Sequence, residues 1–168
     1  MSSNEIISQA LTKLKSSDEA TVFQGVKELK KTGKAAVPIL IKALKDEKSL
    51  RMISSVVLGE FGADAKEAVP ELASLLKDDD EDIRMSAALS LMRIGHHSLN
   101  ALVEVARNTE GKPRFWASWA ISLIDPSKIE PLMLKCLKEE LDKPSGMVSP
   151  FAAEEAIGKI IAMQLKDQ

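Results

Sequence analysis

The stretch that decides the fold runs from Ala68 to Gly95, AVPELASLLKDDDEDIRMSAALSLMRIG, and the chain has already written a close version of it from Ala36 to Gly62, AVPILIKALKDEKSLRMISSVVLGEFG. Val37 and Val69, Pro38 and Pro70, Leu40 and Leu72, Leu44 and Leu76, and Asp46 and Asp78 are each 32 residues apart. Past the acidic stretch the spacing becomes 33, from Arg51 to Arg84, Leu58 to Leu91 and Gly62 to Gly95. Each half keeps its own register while one residue is gained between them, as a repeat of two elements joined by a variable turn requires.

Both halves carry a helical period. Val69, Leu72, Leu75 and Leu76 make one apolar stripe, and Ile83, Ala87, Leu91 and Ile94 make a second, so the unit reads helix, acidic turn, helix. Gly62 and Gly95 stand where a helix must stop, because glycine takes a left-handed backbone at low steric cost. Asp64 with Glu67 then offers a capping box for the next helix. Pro38 and Pro70 lack an N–H, which predicts a loose turn before each and regular helix starting near the proline.

The frame extends outward. Leu29 and Gly33, 29 residues before Leu58 and Gly62, close an N-terminal pair whose first stripe is Ile7, Ala10 and Leu14. Arg114 and Ile121, 30 residues after Arg84 and Leu91, belong to a pair that begins at Leu99 and Leu102. A last unit follows Pro126, with Pro131, Met133, Cys136 and Leu137 on its first helix and Phe151 to Ile161 on its second. The expected fold is therefore all-α: a solenoid of about five stacked antiparallel helix pairs in a single domain, with units near 3–33, 34–62, 63–95, 96–125 and 126–168.

These units resemble HEAT repeats, and in particular the short HEAT-like type of the phycobilisome lyase family. That pattern places a proline on the first helix, an aspartate in the turn and a Val-Arg pair opening the second helix. The chain has Pro70, Asp78, Ile83 and Arg84, and one residue shorter Pro38, Asp46, Leu50 and Arg51. It departs at the ends, with Val22 and Pro150 in the arginine slot. The resemblance implies that Asp46, Arg51, Asp78 and Arg84 form a structural ladder and that the second helices line the concave side. It also brings in relatives with activities, the bilin lyases and the alkyl-purine DNA glycosylases. No chromophore-specific motif stands here, and Lys27, Lys30 and Lys31 supply positive charge at one end only.

Composition narrows the function. Of 168 residues, 23 are basic and 25 acidic, a net charge of -2 that provides no global field for a polyanion or an acidic membrane. Cys136 is the only cysteine, so no internal disulfide or multi-cysteine metal site can form, and its place on a helical stripe predicts a small buried hydrophobe. The start MSSNEIISQALTKLKSS does not read as a secretory signal and no apolar run is long enough for a bilayer, which predicts a soluble, cytoplasmic protein. KDDDED, Lys77 to Asp82, lacks the glycine of a cation loop and reads as a solvated turn feeding acids to a helix N-terminus. His96 and His97 are adjacent and point apart, a poor ligand pair. Neither a catalytic triad nor a phosphate loop is visible, so the expectation is a non-enzyme without cofactor or metal.

The residues expected to carry function are apolar ones in a second-helix slot that the family fills with charge: Met52 and Val56, Met85 and Leu89, Phe115 and Trp119. As an exposed concave strip, with Lys27 and Lys31 at one end and Glu155 and Lys159 at the other, they predict a protein or peptide partner anchored on Trp119. Trp116 is expected to wedge between helices. A lyase-like accessory factor or enzyme subunit binding a small molecule is the alternative, and a nucleic-acid binder a third. The segment LDKPSGMVSP, Leu141 to Pro150, is expected to be a mobile loop.

Overall fold

The computed structural model describes residues 1–167. Ten α-helices are found among them: α1 (Ser3–Leu14), α2 (Glu19–Thr32), α3 (Val37–Ala43), α4 (Lys48–Glu60), α5 (Val69–Leu75), α6 (Glu81–Ile94), α7 (Leu99–Asn108), α8 (Lys112–Ile124), α9 (Pro131–Asp142) and α10 (Ser149–Lys166). There is no strand among the described residues, and no helix is long and apolar enough to cross a membrane. The helices stack as consecutive pairs, α1 with α2 through α9 with α10. From α4 onward the second helices pack on one another more extensively than the first helices do. The second helices thus form a continuous layer along one side of the array.

The joints between repeats show why the sequence breaks where it does. Gly33, Gly62 and Gly95 have φ of +55°, +54° and +80°. At Gly33 and Gly95 ψ is near -136° and -140°, so these glycines occupy an extended positive-φ region rather than the left-handed helical one. L-residues rarely reach that region. Each glycine opens a 3-10 segment, Gly33–Ala36, Gly62–Ala68 and Gly95–Ser98, that runs directly into the next first helix. The expected capping box of Asp64 and Glu67 is not formed, and α5 has no side-chain cap. The 3-10 turn makes one redundant: the N–H groups of Val37, Val69 and Leu99 donate to the carbonyls of Lys34, Lys66 and His96. Side-chain caps stand instead where a helix starts from extended chain, at Ser2 with Glu5, at Asp18 and at Asp80.

The ladder runs across repeats. The Arg51 guanidinium donates to the Asp46 carbonyl of its own turn, 3.0 Å from Nη2, and to the Asp78 carboxylate of the next, 2.6 Å from Nη1. Arg84 repeats the first contact with the Asp78 carbonyl at 2.5 Å and pairs with Glu81 rather than with a following aspartate, which the fourth unit's turn lacks. Lys15 reaches the Asp46 carboxylate at 3.4 Å, so a lysine of the first unit does there what Arg51 does one unit later. Small residues let α4 and α6 approach closely: a Cβ on Gly59 would lie 2.9 Å from Ser90 Cα, and Ser90 Oγ donates to the Ser55 carbonyl at 2.6 Å.

Cys136 is half-buried rather than buried, because the turn before α8 and the end of α9 leave a cleft of about 890 Å³ at its side. Burial still pushes its thiol pKa up. The Leu141 to Pro150 segment is exposed over most of its length and meets Glu140 at Ser145 and Ser149. Glu140 accepts from the Ser145 N–H at 2.7 Å, the Ser149 hydroxyl at 2.5 Å and the Lys112 ammonium at 3.4 Å.

Candidate binding groove

The second helices lie side by side from α4 to α10, and a groove of about 570 Å³ crosses them. Met52 and Val56 of α4 and Met85 and Leu89 of α6 form one wall. Trp116 and Trp119 of α8 form the floor, and Val148, Phe151 and Ala152, at the start of α10, form the far wall. Met52, Met85 and Leu89 are half-buried, while Val56 is 38%, Val148 50% and Phe151 72% exposed. Four of the six residues expected in an apolar strip therefore stand on one wall, with a side open to solvent.

The other two do not behave as expected. Phe115 is 1% exposed and belongs to the core. It borders the opposite cleft with Leu132 and Cys136 of α9 and stacks edge-on with Trp116, ring centroids 5.0 Å apart. Trp119 is 8% exposed, so it is part of the groove floor and not a protruding anchor. The cause is crowding: α8 packs against α6, α7, α9 and α10, and its aromatic rings fill the space between them. Each indole also finds a partner for its N–H, as buried tryptophans do. Trp116 Nε1 donates to Glu81 Oε1 and Trp119 Nε1 to Glu155 Oε2, both at 3.1 Å. The two indoles meet edge-to-face at 5.7 Å and 81°.

Val148 and Phe151 were absent from the expected strip. The signal for Phe151 was present, since it follows Pro150 in the arginine slot as Met52 follows Arg51 and Met85 follows Arg84. The same rule picks out Phe23 after Val22, which is 71% exposed on α2. Of the four flanking charges expected, only Glu155 lines the groove.

The electrostatics are one-sided. The charged residues of the lining are Asp82 and Glu155, both carboxylates. Asp82 is paired with Lys48 at 3.2 Å, and Lys48 holds Asp80 at 2.6 Å. Hydrogen bonds donated to Asp80 and Asp82 push the Lys48 pKa up, and the Lys48 contact holds Asp80 below the usual carboxylate range. Asp78, Asp80, Glu81 and Asp82 of the acidic run are thus engaged in caps and ion pairs, while Asp79 is exposed. His96 and His97 are exposed, and among the described residues no group of three His, Cys, Asp or Glu side chains converges as a metal site would.

A family profile for HEAT repeats matches residues 46–122. A designed armadillo repeat protein in complex with the peptide (KR)4 superposes with a TM-score of 0.50 at 16% identity, covering 92% of this chain and 81% of that one. An engineered protein superposes at 0.53 and 16% identity, covering 96% and 85%. The chain carries HEAT repeats over residues 46–122, and its helix pairs continue on both sides of them. It is 55% identical over 167 residues to SkfG of Bacillus subtilis (strain 168), covering 99% of this chain and 98% of that protein, and it belongs to the same family.

Proposed function

We propose that the chain is a non-catalytic, cytoplasmic scaffold that docks a segment of another protein in the groove across α4, α6, α8 and α10. The observation that carries this reading is an apolar groove shared by four consecutive repeats, with Val56, Val148 and Phe151 held open to water. Apolar surface kept exposed on a rigid frame finds its use in an interface. The designed armadillo protein, a solenoid of similar fold, holds a peptide, which supports the same use of this scaffold. The resemblance to the phycobilisome-lyase type of repeat adds a second reading, an accessory factor for a small apolar molecule. The groove volume of about 570 Å³ favours it, because it lies within the range of small-ligand pockets, ~300–1,000 Å³. Carboxylates as the groove's only charges speak against a phosphate backbone.

Val56→Ser and Phe151→Ser test the proposal. Phe151 is 72% and Val56 38% exposed, so Phe151→Ser should stay within about 0.5 kcal/mol of the parent's stability and Val56→Ser within about 1 kcal/mol. Each should lose the partner that the parent protein retains in affinity capture. Undiminished capture by both variants would overturn the proposal, and a molecule of small mass that leaves with Phe151→Ser in native mass spectrometry would favour the second reading.

A further inference from the structure

We infer that the segment docked in the groove is a cationic amphipathic one, with apolar side chains on the Trp116 and Trp119 floor and a lysine or arginine on Glu155. The inference rests on the docking reading above and adds the charge of the partner. Glu155 is exposed on α10 at the rim of an apolar basin. Its one hydrogen bond among the described residues comes from the Trp119 indole to Oε2, which orients the carboxylate and leaves Oε1 unbound. No cation of the chain lies within ion-pair distance of it among the described residues, whereas Glu60, Glu130 and Glu140, which also join neighbouring helices, each hold a lysine or arginine. Asp82, the other charged lining residue, is already paired with Lys48, which leaves Glu155 as the lining charge without a counterion among the described residues. A carboxylate oriented at the rim of an apolar groove and without its own counterion attracts a cation on whatever segment lies across that groove. A neutral segment would gain nothing from that carboxylate, which stays solvated at the rim, and an acidic one would add repulsion.

The span sets the length of the probe. Three interhelix steps of about 9 Å separate α4 from α10, so the groove suits a helix of roughly 18 residues at 1.5 Å each. Three peptides of that length, with leucines on one face and lysines, glutamines or glutamates on the other, are titrated into the full chain by fluorescence anisotropy. The lysine peptide should bind at least tenfold more tightly than the glutamate peptide. Glu155→Gln should weaken the lysine peptide roughly tenfold and leave the glutamine peptide unchanged, while Phe151→Ser should weaken both. Equal binding of all three peptides, with Phe151→Ser weakening each, overturns the cationic assignment and leaves the docking reading intact. Binding indifferent to both Glu155→Gln and Phe151→Ser, or no binding at all, overturns the cationic assignment and counts against docking of such segments in the groove. Sedimentation as a dimer that Phe151→Ser dissociates would show the occupant to be a second copy, which also overturns it.

Discussion

Trp119 shows how one side chain can belong to a site and to the core at once. Its ring is 8% exposed, its N–H is bonded to Glu155, and its neighbour Trp116 is equally enclosed. The groove therefore has a floor that cannot be removed without loss of the fold. Trp119→Ala is expected to cost about 3–5 kcal/mol of stability, as for other buried aromatic truncations. Trp119→Phe should cost less, because it keeps most of the packing and gives up the hydrogen bond to a carboxylate. Urea titrations of the two variants check this ordering. An alanine variant as stable as the parent would mean that Trp119 does stand free as an anchor. The exposed residues Val56 and Phe151 are the ones whose substitution separates binding from folding.

At the scale of the element, two helical glycines make opposite predictions. Gly59 sits in α4, where an added Cβ would meet the Ser90 backbone at 2.9 Å; Gly158 sits in α10 with nothing within 4 Å. Glycine to alanine gains up to ~1 kcal/mol of helix propensity. Gly158→Ala should thus stabilise the protein by about 0.5–1 kcal/mol. Gly59→Ala must push α4 from α6, an overpacking cost of ~1–3 kcal/mol that reverses the sign. Chemical denaturation of both variants reads the difference. The pairing of helices itself was legible from the shift in spacing between Asp46/Asp78 and Arg51/Arg84, because an inserted residue is tolerated only in a turn. The capping of α5 was not legible, since Asp64 and Glu67 fit a capping box until the 3-10 turn supplies the bonds instead. The wall residues Met52, Val56, Met85 and Leu89 could be read by counting from the arginine slot. The orientation of α8 could not, because Phe115, Trp116 and Trp119 are adjacent on the helix and only the neighbouring helices decide which ring faces the groove.

Across the whole molecule, most ion pairs bridge successive repeats: Lys15 to Asp46, Lys30 to Glu60, Arg51 to Asp78, Lys48 to Asp80, Lys112 to Glu81 and Arg107 to Glu130. A solenoid's stability is close to a sum of repeat terms and interface terms, and its cooperativity comes from the interfaces. These pairs therefore sit where cooperativity is made. The Lys30 contact holds Glu60 below the usual carboxylate range, the Lys48 contact does the same for Asp80 and the Arg107 contact for Glu130; for Asp46 the Glu47 N–H is the larger cause and Lys15 adds to it. A folded-state pKa below the unfolded one means that the unfolded chain binds more protons in that range. The stabilisation is present above the ordinary carboxylate pKa of ~4 and is lost as pH falls through the lower folded values. Thermal melts followed by circular dichroism should accordingly be constant in midpoint above that range and fall below it. Because the protons land at interfaces, the transition should also broaden in acid, as repeats begin to melt one by one. A melt at about pH 3 that is shifted but as sharp as at neutral pH would assign the coupling between repeats to apolar packing of the second helices, with the ion pairs contributing stability and no cooperativity.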